Sequence, residues 1–266
     1  MNLGLEGQAC AVTGASSGVG LEVARELCSE GARVLLVARR PDRLEDAVAS
    51  CRFTGGGEAR GLAVDITSPH AAEEVVCGCH GHFGGIDVLV NNAGRSRTRP
   101  LLELSEQDWH EQWELNVGAP RRLMTLAAEA MAQRGSGRIV NVSSSSGKRP
   151  GQNNAAYSVT KAAQLALSRV FADAYAARGV LVNAVTPGPL ASEMWLAEGG
   201  LADQYAEARG VDRQEALAQM ARRIPRGQLG SSQEVAAVIV FLCSAAAANV
   251  AGAAWSVDGG YVPFAL

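Results

Sequence analysis

A tyrosine and a lysine four residues apart, Tyr157 and Lys161, are the residue types in this sequence with the clearest chemical use. On a helix these positions share one face, so the phenol and the ammonium would be neighbours. An ammonium favours the phenolate and lowers the tyrosine pKa from about 10 towards neutral pH, where the phenol becomes a useful acid–base group. Lysine is rare here, since only Lys148 and Lys161 among the 24 basic residues are lysines. The pair therefore predicts a proton-transfer site rather than an exposed surface pair.

A run of hydroxyl side chains lies shortly before this pair, in the segment Asn141-Val-Ser-Ser-Ser-Ser-Gly147. The segment follows a predicted strand, and a hydroxyl at that point would reach a substrate carbonyl beside the tyrosine. With four consecutive serines, the sequence alone does not decide which one would do so. A polar loop without a catalytic role is the alternative for the run as a whole.

A glycine-rich segment, Thr13-Gly-Ala-Ser-Ser-Gly-Val-Gly20, follows the first predicted strand and opens a helix. Glycines allow a tight turn and a close approach of the backbone to a pyrophosphate, and the helix N-terminus offers free N–H groups. An ordinary glycine-rich turn is the alternative, because the chain has 30 glycines. The position after the first strand favours a dinucleotide cradle, made by Gly14, Ser16, Ser17, Gly18, Val19 and Gly20.

The next two predicted strands end in charged residues. Arg39 and Arg40 stand where NAD-binding units carry an acidic residue for the ribose 2′-hydroxyl, and a guanidinium there suits a 2′-phosphate. NADP(H) is therefore the preferred cofactor, with NAD(H) possible, and Arg39 is the better candidate; two solvated arginines are the alternative. Asp65, followed by Ile66, would bond an adenine amino group or else begin the turn before Ser68-Pro69.

Short β-branched runs alternate with longer helical patterns along the whole chain. This alternation predicts an α/β fold, a Rossmann-type doubly wound parallel sheet of about seven strands with helices on both faces. No linker divides the chain, so residues 1–266 form one domain. Helix starts are predicted at Ser68-Pro69, at Ser105 with Asp108, and at Ser231 with Glu234. The predicted strands are residues 9–13, 33–38, 59–64, 87–91, 138–142, 181–185 and 254–257.

Composition and charge exclude several classes of protein. With 47% hydrophobic residues the chain is not disordered, and a net charge of −3 argues against a nucleic-acid or anionic-membrane binder. Residues 235–257 carry no charge and are predicted to form a buried helix, a turn and a buried strand rather than a membrane span. Six cysteines, mostly in apolar stretches, and the lack of a leader-like N-terminus indicate reduced thiols in a cytoplasmic protein.

Taken together, these segments resemble the short-chain dehydrogenase/reductase family over nearly the whole chain. The resemblance implies that the catalytic serine lies thirteen residues before the tyrosine, which selects Ser144, and it places the family's helix asparagine at Asn116. Pro120 would break the helix near Asn116. The resemblance also implies cofactor contacts along the cleft. The residues concerned are Asn92, Ala93, Gly94, Pro187, Gly188, Leu190 and Ser192, together with Tyr157 and Lys161.

The family mechanism gives each of these residues a role. Tyr157 would exchange the hydroxyl proton, Ser144 would polarise the carbonyl, Lys161 would lower the tyrosine pKa and bond the nicotinamide ribose, and Asn116 would hold a water linking Lys161 to solvent. The implied function is reduction of a ketone, such as a 3-oxoacyl thioester on a carrier or another small ketone, or the reverse oxidation. The alternative is an idle nucleotide-binding sensor or scaffold. The family also implies a homotetramer.

Three further segments remain. Residues 190–225 form a long connection and are predicted to be a substrate lid with helices, in which Gly199-Gly200 is a candidate hinge. Arg95, Arg97 and Arg99 would attract an acidic substrate carrier or, as the preferred alternative, be solvated. The Cys77, Cys79, His80 and His82 cluster resembles a metal site, but ordinary helix residues are the preferred interpretation and no metal is expected.

Overall fold

The fold is built around one parallel sheet. The structure, a computed structural model, describes residues 2–52, 56–96 and 98–263, so Arg97 lies outside the described residues. Seven strands pair in the order β3-β2-β1-β4-β5-β6-β7, and every pairing is parallel. The predicted fold class is confirmed, and each predicted strand is found within two residues of its predicted ends. The strands are β1 Ala9–Thr13, β2 Arg33–Ala38, β3 Glu58–Ala63, β4 Val88–Asn91, β5 Gly137–Val142, β6 Val180–Pro187 and β7 Ala254–Val257.

Helices cover both faces of this sheet, as its crossover connections require. One core lies under α1, α2 and α11, and the other under α3, α5 and α7. The helices are α1 Gly18–Ser29, α2 Pro41–Arg52, α3 Ala71–Phe83, α4 Glu106–Trp113, α5 Ala119–Gln133, α6 Ser145–Lys148, α7 Ala155–Tyr175, α8 Glu193–Leu196, α9 Leu201–Arg209, α10 Arg213–Arg222 and α11 Ser232–Cys243.

Two of the three predicted helix starts are confirmed. Ser105 with Asp108 and Ser231 with Glu234 form reciprocal capping boxes at the N-termini of α4 and α11. The third prediction is wrong, since α3 begins at Ala71 and not at Ser68-Pro69. The physical reason is a tight turn, in which the Ser68 amide donates to the Asp65 carbonyl and delays the helix.

The sheet edges are less buried than the centre. The uncharged segment 235–257 does form a helix, a turn and a strand, but the predicted burial of that strand is wrong. β7 pairs only with β6 among the described strands, and Trp255 remains 37% exposed because no further strand covers it. Among the described residues, no helix is long and apolar enough to cross a membrane.

One turn of π-helix, Glu114–Gly118, joins α4 to α5. Pro120 lies four residues after Asn116 and has no N–H to donate to the Asn116 carbonyl, so regular α-helical bonding fails at this point. The helix break expected near Asn116 is therefore present. It places Asn116 in a fully buried position facing α7, where its amide reaches Thr160.

Candidate active site

A cleft of about 1430 Å³ opens at the carboxyl ends of the central strands. Ligands of open α/β sheets bind at this edge, where the strand order reverses between β1 and β4. Pockets for single small ligands measure roughly 300–1,000 Å³, so this cleft has room for a dinucleotide and a second molecule. The residues predicted from the sequence line it, with the exceptions of Gly20 and Asn116.

The glycine-rich segment forms a cradle between β1 and α1. Gly14 and Gly18 have φ values of +66° and +55°, which favour glycine. A Cβ at Gly14 would lie 2.8 Å from the Ala93 Cα, and a Cβ at Gly20 would lie 2.4 Å from the Gly14 carbonyl oxygen. Gly20 therefore serves the packing of α1 against the loop rather than the cleft surface. The cradle leaves backbone at the start of α1 open to an anion, which fits a pyrophosphate.

Thr13 and Asn92 hold this cradle in place. The Thr13 hydroxyl donates to the Val90 carbonyl at 3.3 Å and accepts from the backbone amides of Asn92 and Ala93 at 3.0 and 3.1 Å. The Asn92 side chain donates to the carbonyl oxygens of Thr13 and Gly14 at 2.9 and 3.3 Å. The predicted cofactor residue Asn92 thus fixes the glycine loop with its side chain while it lines the cleft.

Arg39, Arg40 and Asp65 lie at the ends of β2 and β3, at one end of the cleft. Asp65 accepts from the Thr67 amide and hydroxyl at 3.0 and 2.7 Å, which is the turn-forming alternative. Burial raises the pKa of Asp65, but these hydrogen bonds and Arg39 outweigh it and hold the pKa below its usual value. Arg39 approaches Asp65 only to 3.8 Å, and its side chain is 69% exposed. A loosely held guanidinium at this point is available to an anionic ligand group.

The structure separates the four serines by their contacts. Ser143 is buried and donates to the Lys161 carbonyl at 2.8 Å, and Ser145 is buried. Ser144 is the N-cap of α6, and its hydroxyl is close enough to the Tyr157 side chain to influence the pKa of the phenol. Ser144 is thus the member of the run placed against the tyrosine in the cleft. Burial raises the pKa of Tyr157 above its ordinary value, and the nearby Ser144 hydroxyl opposes that rise.

Lys161 is almost completely buried, at 2% exposure, on the same face of α7 as Tyr157. Its Nζ donates to the Val142 carbonyl at 2.7 Å and to Gln164 Oε1 at 3.1 Å, and it lies 5.7 Å from the centre of the Tyr157 ring. Burial lowers the pKa of Lys161 to about 7.

The expected net lowering of the Tyr157 pKa does not occur in the protein alone. The Lys161 ammonium donates to Val142 and Gln164 rather than to the phenol, so burial has the larger effect on the Tyr157 pKa and raises it. The pair is nonetheless adjacent, as its spacing predicted.

Asn116 approaches the site from the π turn. Its Nδ2 donates to Gln112 Oε1 at 2.9 Å and to the Thr160 hydroxyl at 3.1 Å. Its buried Oδ1 has no hydrogen-bond partner among the described residues. A Cβ at Gly94 would lie 3.4 Å from this oxygen and 3.5 Å from Lys161 Nζ, so both polar atoms converge beside Gly94.

The Cys/His segment does not form a cluster in the fold. Cys77 is exposed and Cys79 is buried near the end of α3. Across the part of the chain that the structure describes, His, Cys, Asp and Glu side chains form no group of three or more that could hold a metal ion.

Comparison with known proteins agrees with this geometry. The family model for short chain dehydrogenases matches residues 8–199 of the chain. The chain belongs to the short-chain dehydrogenase family. It is therefore an oxidoreductase, as its motifs predicted.

Individual members of the family match over nearly their full length. The short-chain reductase protein NovJ of Streptomyces niveus is 35% identical, over 94% of this chain and 92% of that protein. The 3-oxoacyl-[acyl-carrier-protein] reductase FabG of Vibrio cholerae is 34% identical, over 97% and 98%. The structure of L-sorbose reductase from Gluconobacter frateurii, complexed with NADPH and L-sorbose, has a TM-score of 0.92 and 34% identity, covering 99% of this chain and all of that one.

Sequence reasoning missed several residues at this short-chain dehydrogenase site. Gln164 has no signature, because a lone glutamine one turn after Lys161 looks like any helix residue. The pairing of Arg43 with Glu193, at 2.6 Å, joins segments far apart in the chain. Further side chains of the lid also line the cleft, and their direction depends on how its helices fold; they include Tyr205, Arg209, Met220 and Arg223.

Proposed function

We propose that this protein reduces a ketone to a secondary alcohol, or oxidises the alcohol, by NADP(H)-dependent hydride transfer with Tyr157 as the acid–base group. The observation that carries the proposal is that Ser144, Tyr157 and Lys161 lie side by side in the cleft that also contains the glycine cradle. A proton donor, a carbonyl-polarising hydroxyl and a dinucleotide cradle in one cleft are the parts that this reaction requires.

The cofactor would lie along the cleft from α2 to α7. Residues 14 and 16–19 would hold the pyrophosphate, Arg39 and Arg40 the 2′-phosphate, and Asp65 and Ile66 the adenine. Residues 92–94, Pro187, Gly188, Leu190 and Ser192 would line the remainder of the dinucleotide, and Lys161 would bond the ribose. When bound, the nicotinamide supplies or accepts the hydride.

The chain's own side chains would handle the carbonyl and the proton. Ser144 would hold the carbonyl oxygen beside the Tyr157 hydroxyl, which gives its proton to that oxygen during reduction and receives one during oxidation. Lys161, with a pKa of about 7, exchanges protons readily at neutral pH. The unpartnered Asn116 Oδ1 supports a water between Asn116 and Lys161 as the link to solvent.

The substrate class is a small ketone or a 3-oxoacyl thioester on a carrier. The Vibrio cholerae relative acts on 3-oxoacyl groups of an acyl carrier protein, and the Gluconobacter frateurii structure holds L-sorbose with NADPH. Both substrates carry a ketone, which supports the proposed reaction type. A panel of ketones with NADPH and NADH, followed at the nicotinamide absorbance, tests it. Cofactor binding without turnover of any ketone would favour the idle sensor or scaffold.

Arg39→Ala is expected to weaken NADPH binding about tenfold and to leave NADH binding within about twofold. The guanidinium would contact only the 2′-phosphate, and its exposure keeps the effect moderate. Dissociation constants from the fluorescence of the two bound nucleotides measure this difference. Arg60→Ala is the matched control, since Arg60 pairs with Glu58 on β3 and does not line the cleft. Equal losses for both nucleotides would show that Arg39 does not read the 2′-phosphate.

The lid, residues 190–225, is proposed to move as a small folded unit. It contains α8, α9 and α10, and α9 and α10 bury Ala202, Ala206, Ala216 and Met220. Gly199 has a φ of +68°, which supports a flexible glycine turn between α8 and α9. Glu193, at the start of α8, pairs with Arg43 of α2 and lies near Ser17, so it spans the cleft at the cradle.

Hydrogen exchange of residues 193–209 is expected to slow when NADP(H) and a substrate analogue bind together. Closure would bury the amides of α8 and α9 and exclude water from the reacting atoms. The buried helix α11 provides the internal control and is expected not to change. High protection in the lid without ligand, unchanged on binding, would identify the segment as a fixed wall instead.

A homotetramer and a cytoplasmic location complete the proposal. Leu126 on α5 and Val159 and Val170 on α7 are apolar and exposed, which supports contacts between copies through these two long helices. The six cysteines are free thiols, five of them buried, which supports a reducing compartment.

A further inference from the structure

Five arginines lie between residues 190 and 226, and they divide into two groups. Arg213, Arg222 and Arg226 form ion pairs with Asp203, Glu215 and Glu234, and none of the three lines the cleft.

Arg209 and Arg223 both line the cleft, and no carboxylate among the described residues pairs with either. The three arginines outside the cleft therefore have acidic partners, and the two cleft arginines of the lid have none.

Aromatic rings hold these two guanidinium groups in position. The Arg209 guanidinium lies 4.5 Å from the centre of the Tyr205 ring, and Arg223 donates to the Tyr205 hydroxyl at 3.5 Å. Arg223 also lies 5.8 Å from the centre of the Tyr261 ring. Stacking on a ring fixes a guanidinium without using up its N–H donors. Tyr205 and Tyr261 line the cleft as well, so the donors are presented at a preformed place.

The acidic residues of the cleft do not neutralise this group. Asp65, Glu114 and Glu193 pair with Arg39, Arg122 and Arg43, respectively. Glu111, the remaining acid that lines the cleft, accepts a hydrogen bond from Gln107 on its own helix. Two unpaired guanidinium groups with free donors match the geometry of a carboxylate or phosphate.

We propose that Arg209 and Arg223 form an anion subsite of the substrate pocket, so that the preferred substrate is a ketone carrying a carboxylate or phosphate distal to its carbonyl. The inference rests on the proposed ketone reduction, because Ser144 and Tyr157 fix the carbonyl end. It also explains why these two lid positions are basic while Met220, beside them, supplies apolar surface for the chain between the two ends.

Two matched pairs of probes separate the sources of such an anion. Monoethyl 3-oxoadipate with its distal carboxylate free is compared with diethyl 3-oxoadipate, and acetoacetyl-phosphopantetheine with acetoacetyl-pantetheine. In at least one pair, kcat/KM of the wild type is expected to be about tenfold higher for the charged member. A preference in the first pair identifies a free keto acid, and in the second a carrier-bound substrate.

Arg209→Gln and Arg223→Gln are each expected to remove most of this preference while changing kcat/KM for the uncharged member less than threefold. Arg222→Gln is the matched control, because Arg222 is the neighbouring arginine, pairs with Glu215 and does not line the cleft. Equal rates for charged and uncharged members in both pairs would overturn the inference, as would an equal loss of preference in Arg222→Gln.

Failure of the proposed reaction gives a different result. If none of the four probes is reduced, the proposed reaction fails, and calorimetric binding of the same pairs to the NADP-saturated protein still tests the subsite. Tighter binding of a charged member, lost in Arg223→Gln and kept in Arg222→Gln, supports the subsite. Equal affinities within both pairs overturn it.

Discussion

Replacing Tyr157 by phenylalanine is expected to lower kcat/KM for ketone reduction at least about a thousandfold. Acid–base groups contribute roughly 10²–10⁴-fold to rate, and Tyr157 is the phenol that lies beside Ser144. The ring remains, so packing on α7 is kept and NADPH binding is expected to change less than about threefold. Steady-state rates and a fluorescence titration of NADPH with the same preparation measure both quantities.

Tyr175→Phe is the matched control for this change. Tyr175 lies at the end of α7, stacks on Phe171 with ring centres 5.9 Å apart and does not line the cleft. It is expected to leave activity unaltered. Residual activity of Tyr157→Phe within tenfold of the wild type would remove Tyr157 from its proposed role.

Lys161→Met is expected to lower activity at least about a hundredfold and, at neutral pH, to stabilise the fold. In the folded chain the Lys161 pKa is about 7, against 10.5 for an unburied lysine, because burial disfavours the charge. That difference corresponds to about 5 kcal/mol of lost stability at pH 7 and below. Methionine leaves the Val142 carbonyl and Gln164 without their donor, at about 1–3 kcal/mol, so a net gain of about 2–4 kcal/mol remains.

The pH dependence of the stability gain in Lys161→Met distinguishes the loss of a buried charge from a general packing effect. Between pH 7 and 10.5 the unfolded chain holds a proton on Lys161 that the folded chain has released, so the unfolding free energy of the wild type rises by about 1.4 kcal/mol per pH unit from this group. The advantage of Lys161→Met is therefore expected to shrink as pH rises and to vanish by about pH 10. Denaturant titrations at pH 7 and at higher pH measure it, and a constant difference would contradict the assignment.

Lys148→Met provides the comparison within the same chain. Lys148 donates to the Ala254 carbonyl at 2.8 Å and to the Ser256 hydroxyl at 3.0 Å, and burial lowers its pKa less far. Its loss removes hydrogen bonds without removing a deeply buried charge. Lys148→Met is therefore expected to destabilise the fold at neutral pH, which is the opposite sign.

The sheet can be predicted from the sequence because the residue types of each strand give a local signal. The run at residues 9–13 is apolar and β-branched, and it forms β1 with the predicted ends. The helix start predicted at Ser68-Pro69 is wrong for an equally local reason. The residue types favour a helix start there, but a hydrogen bond between Asp65 and Thr67 forms a turn instead, and that bond cannot be predicted from residue types. The predicted burial of the strand at residues 254–257 is wrong because strand order decides which strand lies at the sheet edge, and strand order is a property of the whole fold.

The site follows the same division between local and distant signals. Tyr157 and Lys161 are one helical turn apart, so their spacing in the sequence predicts that their side chains are neighbours. The family resemblance was needed to identify the serine that lies beside Tyr157. The structure shows that the Ser143 hydroxyl already donates to the Lys161 carbonyl. Arg209 and Arg223 are more than 50 residues from Tyr157 in the sequence, and helical folding of the lid decides which arginines turn inward.

The π turn at Glu114–Gly118 also restricts how the length of this chain can vary. A π turn holds one residue more than the α-helical turn that it replaces, so deleting one residue there would restore regular winding. Because the π turn and the α turn each complete one revolution, that deletion would leave α5 in phase with α4 but would remove the widened turn that contains Asn116. A deletion elsewhere in α4 or α5 has no such turn to absorb it, and each helical residue turns the chain by about 100°. Either Asn116 would then turn away from Thr160, or the buried Leu123 and Met124 would leave the core. Helix phase therefore confines a tolerated one-residue deletion between Ser105 and the end of α5 to the π turn, although much of this segment faces solvent.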